Sequence, residues 1–151
     1  MRAKICRACI PLTLSVVVFA AGCTKKPPSF TPAEGTVTLN GQPLPHAKVE
    51  FCPELENFGA EFNSTAVTDE KGHFSFGADG AAVGKHKVVI LDGPPPAEAR
   101  GMSEKAQNAL TEYKKNLKNR PIPSKYGSYS QTPLEIEVTT GKSNYDLPLT
   151  R

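Results

Sequence analysis

"EGTVTLNGQPLPHAKVEF", residues 34–51, decides the fold. Val37 and Leu39 alternate with Thr36 and Thr38, the two-residue period of a strand with one buried face. Asn40-Gly41 follows, two residues that tolerate φ > 0 and so close a type I′ hairpin. After Pro45, Ala47, Val49 and Phe51 share one face while Lys48 and Glu50 take the other, which predicts a half-buried antiparallel strand. By the same parity Cys52 faces outward or closes that strand.

The pattern continues towards the C-terminus. "STAVT" (64–68) reads as a third short strand, "DEKG" (69–72) as a turn, and Phe74 and Phe76 then project to one face. "GADGAAVG" (77–84) is rich in Gly and Ala and reads as a connection. It leads into "KHKVVIL" (85–91), where His86, Val88 and Ile90 lie on one side. Residues 134–138 and 144–149 form the last two expected strands, with Thr140-Gly141-Lys142 as the turn between them. Seven short strands with regular punctuation predict an all-β sandwich. One stretch, residues 93–133, is far too long for an ordinary sandwich loop. Within it Ser103 can N-cap a helix, Glu104 favours the first turn, and Ala106, Ala109, Leu110, Tyr113 and Leu117 recur at helical spacing. Lys114, Lys115 and Lys118 crowd the last turns and Pro121 stops the helix, which would run for about four turns.

The order of "EGTVTLNGQPLPHAKVEF", "TAVTDEKGHFSFG", "AAVGKHKVVI" and "IPSKYGSYSQTPLEIEVTTGKSNYDLPL" resembles the transthyretin-like, carboxypeptidase-regulatory-like domain of small bacterial lipoproteins, over most of residues 34–149. The resemblance implies a seven-stranded Greek-key β-sandwich, here with one helix inserted before the last two strands, and usually no catalysis. Relatives commonly carry Tyr where this chain has His86, and often a Gly where it has His46. The resemblance supplies no ligand.

Upstream, Arg2, Lys4 and Arg7 precede an apolar run from Ile10 to Ala21, and Ala20-Ala21-Gly22 offers a small-residue cleavage site. Residues 1–22 therefore read as a signal peptide, too short to span a bilayer comfortably. Ala20-Ala21-Gly22-Cys23 resembles the bacterial lipobox, although Ala20 stands where the pattern prefers Leu. The resemblance implies cleavage between Gly22 and Cys23, a diacylglyceryl thioether on Cys23 and often acylation of its freed amine. Several chains on one residue exceed the single-chain case that binds membranes marginally. Thr24, in place of Asp, favours the outer membrane by analogy. Residues 23–33 then form the lipidated Cys and a Pro-rich tether, about 30 Å long if fully extended as polyproline, and residues 34–151 the sandwich with its helical insertion 93–133.

Removing the signal takes three of the 18 basic residues and none of the 15 acidic ones, which leaves a formally neutral body. The net charge of +3 is thus a property of the signal and gives no support for nucleic-acid binding. Cys6 and Cys9 form a C-x-x-C inside the same segment, with neither a preceding strand nor a second ligand pair. His46, His73 and His86 have no metal-site spacing, so no metal or cofactor is expected. Glu135 and Glu137 share a strand face about 7 Å apart, a separation suited to paired carboxylates, but Glu alternating with Leu134, Ile136 and Val138 is also what a solvated sheet face looks like. No G-x-S-x-G elbow or phosphate loop occurs, and an enzyme is not expected.

The expectation is a membrane-anchored, non-catalytic envelope lipoprotein whose sandwich binds or scaffolds an envelope protein or glycan. Its contacts would come from the insertion, through Tyr113, Lys114, Lys115 and Lys118 on the helix and Tyr126 and Tyr129 beyond it, or from sheet edges. The commoner reading of the Lys run is a helix C-terminus complementing its dipole. A purely structural envelope component is the alternative, and a small-molecule or metal-binding domain stands behind it.

Overall fold

The computed structural model describes residues 27–55 and 60–151. The expected signal segment, its Cys6 and Cys9, the cleavage step between Gly22 and Cys23, and the lipidated Cys23 lie outside the described residues.

In chain order the strands are β1 (Phe30–Thr31), β2 (Glu34–Leu39), β3 (Gln42–Pro43), β4 (Ala47–Pro53), β5 (Ser64–Val67), β6 (His73–Ser75), β7 (Ala81–Ala82), β8 (Gly84–Asp92), β9 (Glu135–Val138) and β10 (Leu147–Leu149), with one α-helix, α1 (Glu104–Asn116), between β8 and β9. They form three sheets: β5-β4-β8-β9; a second around β2, which pairs with β10, β3 and β6; and the two-stranded β1-β7 ribbon. The described residues are mostly β with one α-helix in a sandwich-like arrangement. Its ten strands differ from the seven expected because β1, β3 and β7 have two residues each, too few for alternation to register.

The alternation fixes which side chains enter the core. Val37 and Leu39 of β2 and Ala47, Val49 and Phe51 of β4 are all fully buried. Phe51 meets the other sheet's Phe74 edge to face at 5.7 Å and packs on Phe76 at 4.7 Å. Such pairs add about 1 kcal/mol beyond area burial. Phe51→Ala would open the centre of the sandwich at about 3–5 kcal/mol.

Asn40 (φ 52°) and Gly41 (φ 76°) form the tip of the β2-β3 hairpin. The return strand is brief because residues 44–46 carry the chain to the opposite sheet. Thr68 holds that crossing: its buried hydroxyl donates to the Leu44 carbonyl at 2.7 Å and accepts from the Ala47 N–H at 2.8 Å.

Two expectations change at the tether end. Residues 77–84 are more than a connection, since Ala81–Ala82 pair with Phe30–Thr31. The tether expected over residues 23–33 therefore finishes inside the fold: Ser29 and Ala33 carbonyls accept from Val83 and Phe76 N–H groups, and Ala33 is buried. Alanines provide flat surface there, and Gly80 (φ 63°) lets backbone meet backbone, because a Cβ on it would fall 2.1 Å from the Thr31 carbonyl oxygen.

Helix α1 starts as the sequence predicts, with the Ser103 hydroxyl accepting from the Ala106 N–H at 3.2 Å. It has 13 residues, and only Ala106 is buried. No helix among the described residues is long and apolar enough to cross a membrane.

Candidate functional site

A groove of about 780 Å³ lies on the outer face of the β5-β4-β8-β9 sheet. Glu50 and Cys52 of β4 and Val89 and Leu91 of β8 form its floor. The register sets Glu50 opposite Val89, and Lys87, the neighbour of Cys52, opposite Glu135. One wall comprises residues 53–55 with Ala60 and Asn63, and the other is Gly127, Ser128 and Tyr129 from the insertion.

The insertion is held there by side chains that also belong to the core. Tyr126 is 3% exposed, its hydroxyl accepting from the Thr150 N–H at 3.0 Å and donating to the Thr150 carbonyl at 3.2 Å. Buried Thr132 donates to the Val88 carbonyl at 2.6 Å. Between these pins Gly127 comes close enough to Leu91 that a Cβ on it would lie 3.4 Å from the leucine methyl. At the hairpin end, Asn119 Nδ2 lies within hydrogen-bonding distance of the Leu39, Gln42 and Pro43 carbonyls, and Arg120 donates to those of Pro45 and His46. The 93–133 insertion is thus a strap across the sandwich and not a detachable arm.

The electrostatics of the floor follow from burial and from the charges beside it. Burial, reinforced by the charge of Glu50, pushes the Cys52 thiol up to about 11 against the opposing pull of Lys48. Cys52 is therefore a neutral thiol at neutral pH and a poor nucleophile. Burial pushes the Glu50 carboxyl up, but hydrogen bonds from Asn63 (2.9 Å) and Lys48 (3.0 Å), with the Lys48 charge, outweigh it and leave the group below the usual carboxylate range. The Ser128 hydroxyl is shut off from solvent without a hydrogen-bond partner among the described residues.

Of the six contact residues expected from the sequence, only Tyr129 lines the groove. Tyr126, expected at a contact surface, is instead a core residue with its ring buried. Tyr113 packs its ring on His46 at 6.3 Å, and Lys115 pairs with Glu112 on the exposed helix. Lys114 is exposed, and Lys118 borders a separate shallow cleft with Glu70. Sequence alternation missed Val89 and Leu91. The signal was present in "VVIL", four apolar residues in a row, which mark a strand covered on both faces.

The remaining candidates are dispersed. His46 pairs with Glu70 at 2.9 Å, His73 lies 3.7 Å from Glu34, and His86 is buried with its Nδ1 donating to the Gly84 carbonyl at 3.0 Å. Glu135 is engaged by Lys87 at 2.9 Å, while Glu137 sits opposite Lys85. Among the described residues no cluster of three metal-binding side chains occurs. Compared with known families, with characterised proteins and with solved structures, the chain matches none.

Proposed function

We propose that the protein is a non-catalytic lipoprotein of the cell envelope, anchored through Cys23, whose transthyretin-like sandwich is a binding module with the strapped groove as its site. The observation that carries this reading is the groove itself. Its volume lies in the usual 300–1,000 Å³ range of ligand sites, and it leaves Leu91 and Tyr129 38% and 48% exposed on a face already walled on two sides. The strand order supports a seven-stranded Greek key, with β2, β4, β5, β6, β8, β9 and β10 as its members. The chain changes sheet after β2, β5, β6 and β9, and β1, β3 and β7 are local extensions.

Removing residues 93–133 would take Tyr126 and Thr132 from the core, so the test uses point changes. A photoreactive residue at position 129 is activated in cells, in the parent chain and in Leu91→Lys. A discrete adduct with the first that disappears with the second supports the module. No adduct in either, with both proteins folded and abundant, leaves a structural envelope component as the reading.

A further inference from the structure

The charge and the ring at the groove indicate what it would hold, on the reading that the groove is a binding site. We propose that it takes an amphipathic cation, an alkyl or aromatic body with one protonated amine. Val89, Leu91, Cys52 and the Tyr129 ring offer the body an apolar bed. The polar groups then select the charge.

Both cations at the margin are already matched: Lys48 reaches Glu50 at 3.0 Å, and Lys87 reaches Glu135 at 2.9 Å. Glu54 lines the groove as an exposed carboxylate without an ion-pair partner among the described residues. A bound anion would face that carboxylate. An amine would face a carboxylate. The Tyr129 ring favours the same sign. Its face carries the negative part of the ring quadrupole, and Lys87 already stands 6.0 Å from its centroid, at the outer limit of that interaction. The Cys52 thiol is neutral at neutral pH and leaves the balance unchanged.

The test uses three probes with one body and three charges: 2-phenylethylammonium, 2-phenylethanol and phenylacetate. The methyl resonances of Val89, and of Leu91 where it is retained, are followed in the full chain purified from membranes and reconstituted in phospholipid nanodiscs, for the parent, Glu54→Gln and Leu91→Lys. The expected result is saturable shifts, with the amine binding about two- to five-fold tighter than the alcohol, the range of one exposed charge pair, and the acid weakest. Glu54→Gln, an exposed site whose change leaves the amide spectrum intact, should erase the amine's advantage without weakening the alcohol. Leu91→Lys should abolish all three. An alcohol or acid that binds as well as the amine, or an amine advantage that survives Glu54→Gln, overturns the cation inference and leaves the groove reading standing. No saturable shift with any probe overturns both.

Discussion

His86 should make this protein lose stability in mild acid. Its side chain is 1% exposed, packed 5.8 Å from the Phe51 ring, with Nδ1 bonded to Gly84 and Nε2 without a partner among the described residues. Burial holds its pKa below the ordinary histidine value, outweighing the Gly84 carbonyl and the Glu54 charge, which push the other way. The unfolded chain therefore takes up a proton near pH 6.5 while the folded chain still refuses it. The stability tied to neutral His86 is complete above about pH 6.5 and falls below it by up to about 1.4 kcal/mol per pH unit, until the folded pKa is reached. Between pH 6.5 and 5 the ceiling is about 2 kcal/mol, or about 8 °C in Tm for a domain of this size. His86→Phe keeps a ring against Phe51 and removes the proton site. Thermal unfolding of both proteins from pH 7.5 to 5 isolates the term, because every other group is common to the pair. The difference in Tm between them should widen in favour of the variant as pH falls. Parallel curves would refute the reasoning.

Three further outcomes follow from the strap and the floor. Tyr126→Phe loses both bonds to Thr150 and should cost about 1–2 kcal/mol in chemical unfolding, with no change if the strap is unpinned in solution. Asn119→Ala removes the side-chain contact with three carbonyls and also places alanine at φ 56°, so about 2–3 kcal/mol should be lost. Asn119→Gly, free of the backbone penalty, should recover about 1 kcal/mol of that, and equal losses would contradict the division. Cys52, 7% exposed with its pKa raised to about 11, should resist alkylation at neutral pH and react on unfolding. Rapid labelling of the folded protein would show the groove floor open to reagents.

What was legible in the sequence was what is local. Alternation in "TVTL" and "AKVEF" placed Val37, Leu39, Val49 and Phe51 in the core, Asn40-Gly41 marked a hairpin tip, and Ser103 marked the helix start. The β1-β7 ribbon was not legible, because two residues define no period and the pairing spans some fifty positions of chain. Tyr126 and Tyr129 looked alike for the same reason. Both sit among Ser, Gly and Lys, and what separates them is Thr150, which completes the bonds of Tyr126 from the far end of the chain. The groove was half legible. Parity set Cys52 outward, as found, but the wall that residues 127–129 add to that face comes from a distant part of the chain, and only the unbroken "VVIL" run hinted at an apolar outer face.

The proposed lipoprotein reading rests on Cys23 as the anchor. Intact mass measured on the protein extracted from the membrane fraction tests that anchor directly. The account predicts a chain beginning at Cys23 and carrying a diacylglyceryl group, with or without an N-acyl chain. A chain beginning at Met1, or one with an unmodified Cys23, would contradict it.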